Sequence, residues 1–127
     1  MTTQSQIYKC EICGNIVELV HEGADSLVCC GKPMTEMKEQ SKGEYAEKHA
    51  PVVKENSEGV EVKIGKITHP MQEDHYIEWI EILTENGVGR KYLNPKTNSK
   101  AEAKFPVKSE LKKVRMYCNK HGLWINQ

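Results

Sequence analysis

The sequence predicts a mainly β protein built from a small four-cysteine module followed by a β-sandwich. Two cysteine pairs, Cys10/Cys13 and Cys29/Cys30, lie close to the N-terminus. Beyond residue 49, glycine, proline and asparagine recur at short intervals, and the runs between them are rich in β-branched residues. About seven short strands, with a turn every eight to twelve residues or so, are typical of an antiparallel sandwich.

Composition excludes several classes of partner. The 127 residues suffice for a small module plus one compact domain. The 18 basic and 18 acidic side chains cancel, so no overall field draws the chain to nucleic acid or anionic lipid. No apolar run approaches the roughly 20 residues that span a bilayer, and the first residues lack the features of a signal peptide. We therefore expect a cytoplasmic protein, whose five cysteines stay reduced and serve metal binding or catalysis.

Residues 1–37 are expected to form the metal-binding module. A glycine follows each cysteine pair, which lets the backbone turn so that N–H groups point at sulfur. Residues 16–20 and 26–28 predict two short strands joined by a turn. Such a small unit buries little apolar surface, so a bound metal would supply much of its folding free energy. Four thiolates suit either zinc or a single iron.

Residues 38–48 are polar and lack periodicity, which indicates a linker with solvated charges. Residues 49–127 then form the second domain. Within it, residues 60–64, 101–107 and 114–118 alternate between apolar and polar side chains and predict strands.

The run from residue 76 to 83 fits both a helical and a strand period. Its β-branched and aromatic content, with Asn86-Gly87 just beyond, favours a strand with a possible bulge. Residues 111–114 are the only place where the pattern allows a helical turn.

Four histidines and one cysteine of the second domain fall at predicted strand ends or turns. His69 and His75 bracket one turn, and Cys118 and His121 bracket a loop short enough for both to reach one metal. A sandwich gathers its loops at its ends, so distant residues can converge there. The candidate ligands are His49, His69, His75, Cys118 and His121.

Imidazoles with one thiolate suit zinc, iron and copper. A closed structural zinc site needs only four ligands, so five favour a metal that accepts five or six. Iron with four nitrogens and one sulfur keeps one position open, and the thiolate pushes electron density onto the metal.

The motifs also resemble known families. Cys10-x-x-Cys13-Gly with Cys29-Cys30-Gly is similar to the desulforedoxin module, a one-iron centre. Three further motifs resemble desulfoferrodoxin, the two-iron form of superoxide reductase. These are Glu47-Lys48-His49, His69-Pro70-Met71-x-x-x-His75 and Cys118-Asn119-x-His121-Gly122.

This resemblance implies a rubredoxin- or desulforedoxin-like head and an immunoglobulin-like sandwich, assembled as a homodimer. It implies one-electron reduction of superoxide to hydrogen peroxide, with a rubredoxin-like protein returning the electron. Lys48 would attract superoxide, and Glu47 would occupy the vacant position of the ferric site. Lys120 departs from the family pattern, where apolar residues are usual. The implied ligands are Cys10, Cys13, Cys29 and Cys30 for the first iron, and His49, His69, His75, His121 and axial Cys118 for the second.

Two other interpretations stay open at this point. One is a zinc-ribbon adaptor fused to a β-sandwich binding module, which would hold zinc in the head and no iron elsewhere. The other is a one-electron carrier that uses the head iron alone. A β-sandwich by itself does not distinguish among these functions.

Overall fold

Short strands and tight turns make up most of the chain, which confirms the predicted mainly β fold. The computed structural model describes residues 3–126. The chain divides into two compact units, one reaching to Lys38 and one beginning at Glu39. No helix within residues 3–126 is long and apolar enough to cross a membrane.

The first unit contains two small antiparallel sheets. Strands β2, β1 and β5 form one sheet, in that order, and β3 and β4 form a hairpin. The two predicted strands are present as β2 and β3, but they lie in different sheets, and β1 was not predicted. Ile7 of β1 is buried and pairs with Glu18 of β2. The strands are β1 (Ile7–Lys9), β2 (Ile16–Glu18), β3 (Val28–Cys29), β4 (Lys32–Pro33) and β5 (Thr35–Glu36).

The second unit is a seven-stranded antiparallel sandwich preceded by one helical turn. One sheet has the order β10-β7-β6 and the other β12-β11-β8-β9. Residues 111–114, where the sequence pattern allowed a helical turn, instead begin β11. The elements are α1 (Ala46–His49), β6 (Pro51–Asn56), β7 (Gly59–Ile64), β8 (Ile77–Thr84), β9 (Gly87–Tyr92), β10 (Glu102–Phe105), β11 (Leu111–Cys118) and β12 (Gly122–Ile125).

The first three residues of α1 lie inside the segment interpreted as a linker, and its last residue, His49, begins the predicted second domain. The helix is closed by one hydrogen bond from the Ala50 N–H to the Ala46 carbonyl, at 2.9 Å. A single turn is too short to give a periodic pattern of apolar residues, so the sequence did not reveal it.

The core of the sandwich comes from strand faces whose alternation was visible in the sequence. Val60, Val62 and Ile64 of one sheet join Ile82 and Met116 of the other in a single buried cluster. The ambiguous run is strand β8, as predicted. Its register against β11 shifts between the pairs Trp79–Tyr117 and Ile77–Cys118, which is the expected bulge.

Charged residues are buried on the other side of the β8–β11 pair. The Glu81 carboxylate is fully buried and accepts hydrogen bonds from Arg115 Nε, at 2.6 Å, and from Arg90. Arg115 Nη1 also donates to Glu39 at 3.1 Å, as does Lys113 Nζ at 2.9 Å. The expectation that linker charges are solvated is therefore wrong for Glu39, because it pairs with a buried guanidinium.

Candidate metal centres

The four cysteines of the first unit form one cluster. Their sulfur atoms all lie within 4.8 Å of one another, and Cys13 Sγ is 3.6 Å from Cys29 Sγ. Metal–sulfur bonds of about 2.3 Å in a tetrahedron place sulfurs about 3.8 Å apart. The cluster therefore has the dimensions of a four-thiolate metal site.

Two tight turns bring these sulfurs together. Gly14 has φ +83°, and its N–H donates to the Cys10 carbonyl at 2.9 Å. Cys30 and Gly31 both have positive φ, +54° and +74°, between the paired residues Cys29 and Lys32. This is the pattern of a type I′ hairpin turn, which places adjacent cysteines at its corner.

The electrostatics of the cluster favour a cation. The backbone N–H groups of Cys13 and Ile12 point at the Cys10 sulfur and lower its pKa to about 6. Hydrogen bonds with the sulfurs of Cys13 and Cys10 raise the pKa of Cys29 to about 12, and they also raise the pKa of Cys30. Four crowded sulfurs cannot all ionise until a metal ion neutralises their mutual repulsion.

The second cluster gathers side chains from distant parts of the sandwich. His49 ends α1, His69 and His75 belong to the β7–β8 loop, Cys118 ends β11, and His121 lies in the next turn. One ligand atom from each of His49, His75, Cys118 and His121 lies within 4.8 Å of the other three. His69 Nε2 joins them at 3.1 Å from His49 Nε2 and 3.5 Å from Cys118 Sγ. All five predicted residues thus meet in one place.

The four imidazoles are arranged as a ring. Neighbouring rings have centroids 4.6 Å apart for His49–His69, His69–His75 and His49–His121, and 5.1 Å apart for His75–His121. Each neighbouring pair is steeply inclined, by 66° to 80°. His49 and His75 face each other across the ring at 6.2 Å. Cys118 is the fifth donor, with Sγ 3.8 Å from His121 Nδ1.

This arrangement fits a metal ion held by four imidazole nitrogens and one sulfur. Metal–nitrogen bonds of about 2.1 Å at right angles separate neighbouring nitrogens by about 3.0 Å, close to the 3.1 Å between His49 and His69. His75 Nε2 is buried and has no hydrogen-bond partner within residues 3–126. An unpaired buried nitrogen is costly unless it is a ligand.

Main-chain carbonyls orient two of the rings. His49 Nδ1 lies 2.8 Å from the Tyr45 carbonyl oxygen, and His69 Nδ1 lies 2.7 Å from that of Pro70. With its proton on Nδ1, each ring presents Nε2 as a lone pair, as histidine ligands commonly do.

Burial favours the neutral, metal-binding form of three of the four imidazoles. It lowers the pKa of His49 and His75, and that of His69 to about 4, so these imidazoles are neutral at pH 7. Burial raises the pKa of Cys118, while the backbone N–H groups of Lys120 and His121 oppose this. Metal binding therefore releases the thiol proton.

The four-cysteine cluster and the histidine–cysteine cluster lie in two segments of the chain that match two domain models of one family. A sequence model of the desulfoferrodoxin N-terminal domain matches residues 2–37, and that of desulfoferrodoxin itself matches residues 41–127. The chain belongs to the desulfoferrodoxin family. Nearly every residue is covered by these two regions, so no other domain separates the clusters.

Individual members of the desulfoferrodoxin family match over the whole length. A desulfoferrodoxin homolog of Archaeoglobus fulgidus is 51% identical over 124 residues, 98% of each chain. The desulfoferrodoxin of Syntrophotalea carbinolica is 46% identical over 127 residues, 100% of this chain and 99% of its own. The crystal structure of the superoxide reductase from Treponema pallidum has a TM-score of 0.76, 25% identity and 96% coverage of both chains.

Glu47 and Lys48 are exposed residues of α1 that directly precede His49. The positive charge of Lys48 is near enough to contribute to the lowered pKa of His49 and of His75. Lys120, in the loop between Cys118 and His121, pairs with Asp74 at 3.9 Å.

Sequence reasoning missed two residues that hold the second cluster. Asn119 accepts from the Tyr76 N–H at 2.9 Å and donates to the Asp74 carbonyl at 3.0 Å, so it clamps the two ligand loops together. The only feature of the sequence that could have indicated this role is the position of Asn119 between the ligands Cys118 and His121. Tyr45 stacks on the His121 ring, and nothing in the sequence marked it.

Proposed function

We propose that this desulfoferrodoxin is a superoxide reductase that acts at its second cluster. There superoxide, one electron and two protons give hydrogen peroxide. The observation that carries the proposal is the ring of four imidazoles with a buried thiolate as fifth donor. The likeness over 96% of the chain to a protein named superoxide reductase supports it.

Iron is the metal proposed at both sites. Five donors in the second cluster exceed the four of a closed zinc site, and six-coordinate iron would keep one position for a small oxygen species. When bound in the ferrous state, this iron supplies the electron. The first cluster would hold one iron with Cys10, Cys13, Cys29 and Cys30. The second would use His49, His69, His75, His121 and Cys118.

The protein residues tune this centre in ways that suit an anionic substrate. Imidazole ligands add no negative charge to the site. The backbone N–H groups of Lys120 and His121 hydrogen-bond to the Cys118 sulfur and favour its thiolate form. Anchored rings limit rearrangement when the charge of the site changes.

Lys48 and Glu47 are the proposed catalytic residues. The chain as a whole is neutral, so local charge must attract superoxide, and Lys48 lies beside the cluster. Lys48 would also order the water that delivers a proton, and Glu47 would take the open position after oxidation. Lys48→Ala should slow the reaction with superoxide and weaken its dependence on ionic strength. Lys54→Ala, which removes another exposed lysine of the same unit, should change neither.

Several wider features complete the proposal. The head would comprise residues 1–37, the linker 38–48 and the reductase domain 49–127. A rubredoxin-like protein would return the electron, and two copies would form a homodimer. A cytoplasmic location suits five cysteines that are all free thiols.

Metal analysis with a visible spectrum tests the proposal. Protein produced with iron present should carry two irons per chain and show a thiolate-to-iron charge-transfer band on oxidation. It should consume superoxide without releasing the dioxygen that a dismutase yields. Cys118→Ser should remove the band and leave the spectrum of the head iron. Zinc in the head with no iron elsewhere would instead establish the adaptor, and a head iron without superoxide consumption the simple carrier.

A further inference from the structure

Tyr45 is an exposed aromatic residue directly in front of α1. Its exposed fraction is 47%, high for a large apolar ring. Its centroid lies 4.5 Å from that of the His121 imidazole, and the two planes are inclined by only 29°. The phenol ring therefore lies flat on one face of a residue in the second cluster.

His121 is held differently from the other anchored imidazoles. The rings of His49 and His69 are fixed by main-chain carbonyls, but His121 Nε2 has no hydrogen bond among the residues the structure describes. Its contacts with His49 and His75 are edge-on, at 74° and 66°. Tyr45 makes the one parallel contact on its ring within residues 3–126.

The backbone at His121 is already fixed without Tyr45. The His121 carbonyl accepts from Gln40 Nε2 at 2.8 Å and from Trp124 Nε1 at 3.0 Å. Rotation of the side chain about its Cα–Cβ and Cβ–Cγ bonds is thus the freedom that remains. A flat ring stacked on the imidazole opposes that rotation, since turning the ring would break the stacked contact.

We propose that Tyr45 is a positioning residue, whose ring keeps His121 Nδ1 aimed at the metal. This rests on the ligand set given under the proposed function. The stack takes the place of the hydrogen bond that usually orients a histidine ligand. It also covers one face of the His121 ring against water.

Substitution of the Tyr45 side chain removes this stack, together with the edge-on contact of the same ring with His49 at 6.0 Å and 82°. The carbonyl that anchors His49 belongs to the main chain, so it persists whatever side chain stands at position 45. Tyr45→Phe keeps the ring, Tyr45→Leu keeps apolar bulk without a flat face, and Tyr45→Ala removes both. Tyr92→Ala is the matched control, since it removes a tyrosine 72% exposed in the same unit.

The experiment measures how fast the iron-loaded protein releases its second iron to excess chelator, followed by the charge-transfer band. Removal of a group that orients a ligand weakens metal binding by on the order of tenfold. We expect Tyr45→Ala and Tyr45→Leu to release iron about tenfold faster, and Tyr45→Phe and Tyr92→Ala to match the unmodified protein. Proton spectra of the zinc-loaded protein should also show the His121 ring signals moving in Tyr45→Ala and Tyr45→Leu but not in Tyr45→Phe.

The outcomes separate this inference from the function on which it rests. If the unmodified protein lacks the charge-transfer band, both the ligand set and the role of Tyr45 are overturned. If the band is present but Tyr45→Ala releases iron at the unmodified rate, with unmoved His121 signals, only the role of Tyr45 is overturned. Equal effects of Tyr45→Phe and Tyr45→Ala would also overturn it, because the ring would then be irrelevant.

Discussion

Replacement of Gly65 by alanine should damage the second cluster without touching any of its five donor side chains. Gly65 follows β7 with φ +83°, a conformation that costs an L-residue about 1–2 kcal/mol. A Cβ there would lie 2.5 Å from the Ile67 carbonyl oxygen and 2.6 Å from that of Lys48. Both obstacles are backbone atoms, so neither can move aside by rotating a side chain.

The displacement can be estimated from these distances. An ordinary contact of about 3.4 Å requires the Lys48 carbonyl to retreat by about 0.8 Å. Lys48 precedes His49 in α1, and the Gly65 and Ile67 N–H groups bond to the Ala50 and Glu47 carbonyls, each at 3.2 Å. The shift therefore reaches the His49 ring. Misplacement of this size costs a reaction on the order of 100-fold, and we expect a similar fall in superoxide consumption.

The assay compares Gly65→Ala with Gly43→Ala. Gly43 also has a positive φ, +107°, and precedes α1, but a Cβ there meets nothing within 4 Å. Urea unfolding should show about 3 kcal/mol lost for Gly65→Ala and about 1–2 kcal/mol for Gly43→Ala. Superoxide kinetics and iron content should fall only for Gly65→Ala. Equal losses in the two variants would refute the reasoning, because the backbone contacts would then carry no cost.

Three further predictions follow from burial and charge. In the metal-free protein, burial lowers the pKa of His69 from an ordinary 6.5 to about 4. Between pH 4 and pH 6.5, His69 is therefore protonated in the unfolded chain but neutral in the folded protein. The stability of the metal-free protein should thus fall as pH drops from 6.5 to 4, by up to about 1.4 kcal/mol per pH unit for this group; unfolding midpoints that stay constant over this range would contradict it. Glu81→Gln removes the buried carboxylate charge that pairs with Arg115 and should cost about 3–5 kcal/mol in urea unfolding, whereas exposed Glu58→Gln should cost almost nothing. Cys10→Ser should abolish the first metal site and raise hydrogen exchange in residues 3–38 alone, since metal supplies much of the folding energy of so small a unit; unchanged exchange there would show that the unit folds without it.

The sequence carried most of the information about the sandwich because its strands alternate. Val60–Ile64 and Val114–Cys118 have a polar or charged residue between apolar ones, and each apolar set is buried in the core. The helix α1 escaped prediction because one turn has no period to detect. Glu39 was misinterpreted because its partners lie more than 70 residues along the chain, at Lys113 and Arg115.

The five donor residues of the second cluster could also be predicted from the sequence. Histidine and cysteine at turns, with the short spacing from Cys118 to His121, indicated that a metal site exists. What holds the rings was not predictable, because the anchors of His49 and His69 are carbonyl oxygens that every residue possesses. The stack of Tyr45 on His121 depends on a ring angle that no spacing reveals.

Those carbonyl anchors also determine the charge that a substrate would meet. In the proposed centre, a ferrous ion with neutral imidazoles and one thiolate carries a single net positive charge. The carbonyl oxygens that accept hydrogen bonds from His49 and His69 are uncharged, so they leave this net charge unaltered. If two carboxylates took their places, the net charge would become negative and the centre would repel an anion at short range. The choice of uncharged acceptors therefore keeps the centre attractive to superoxide.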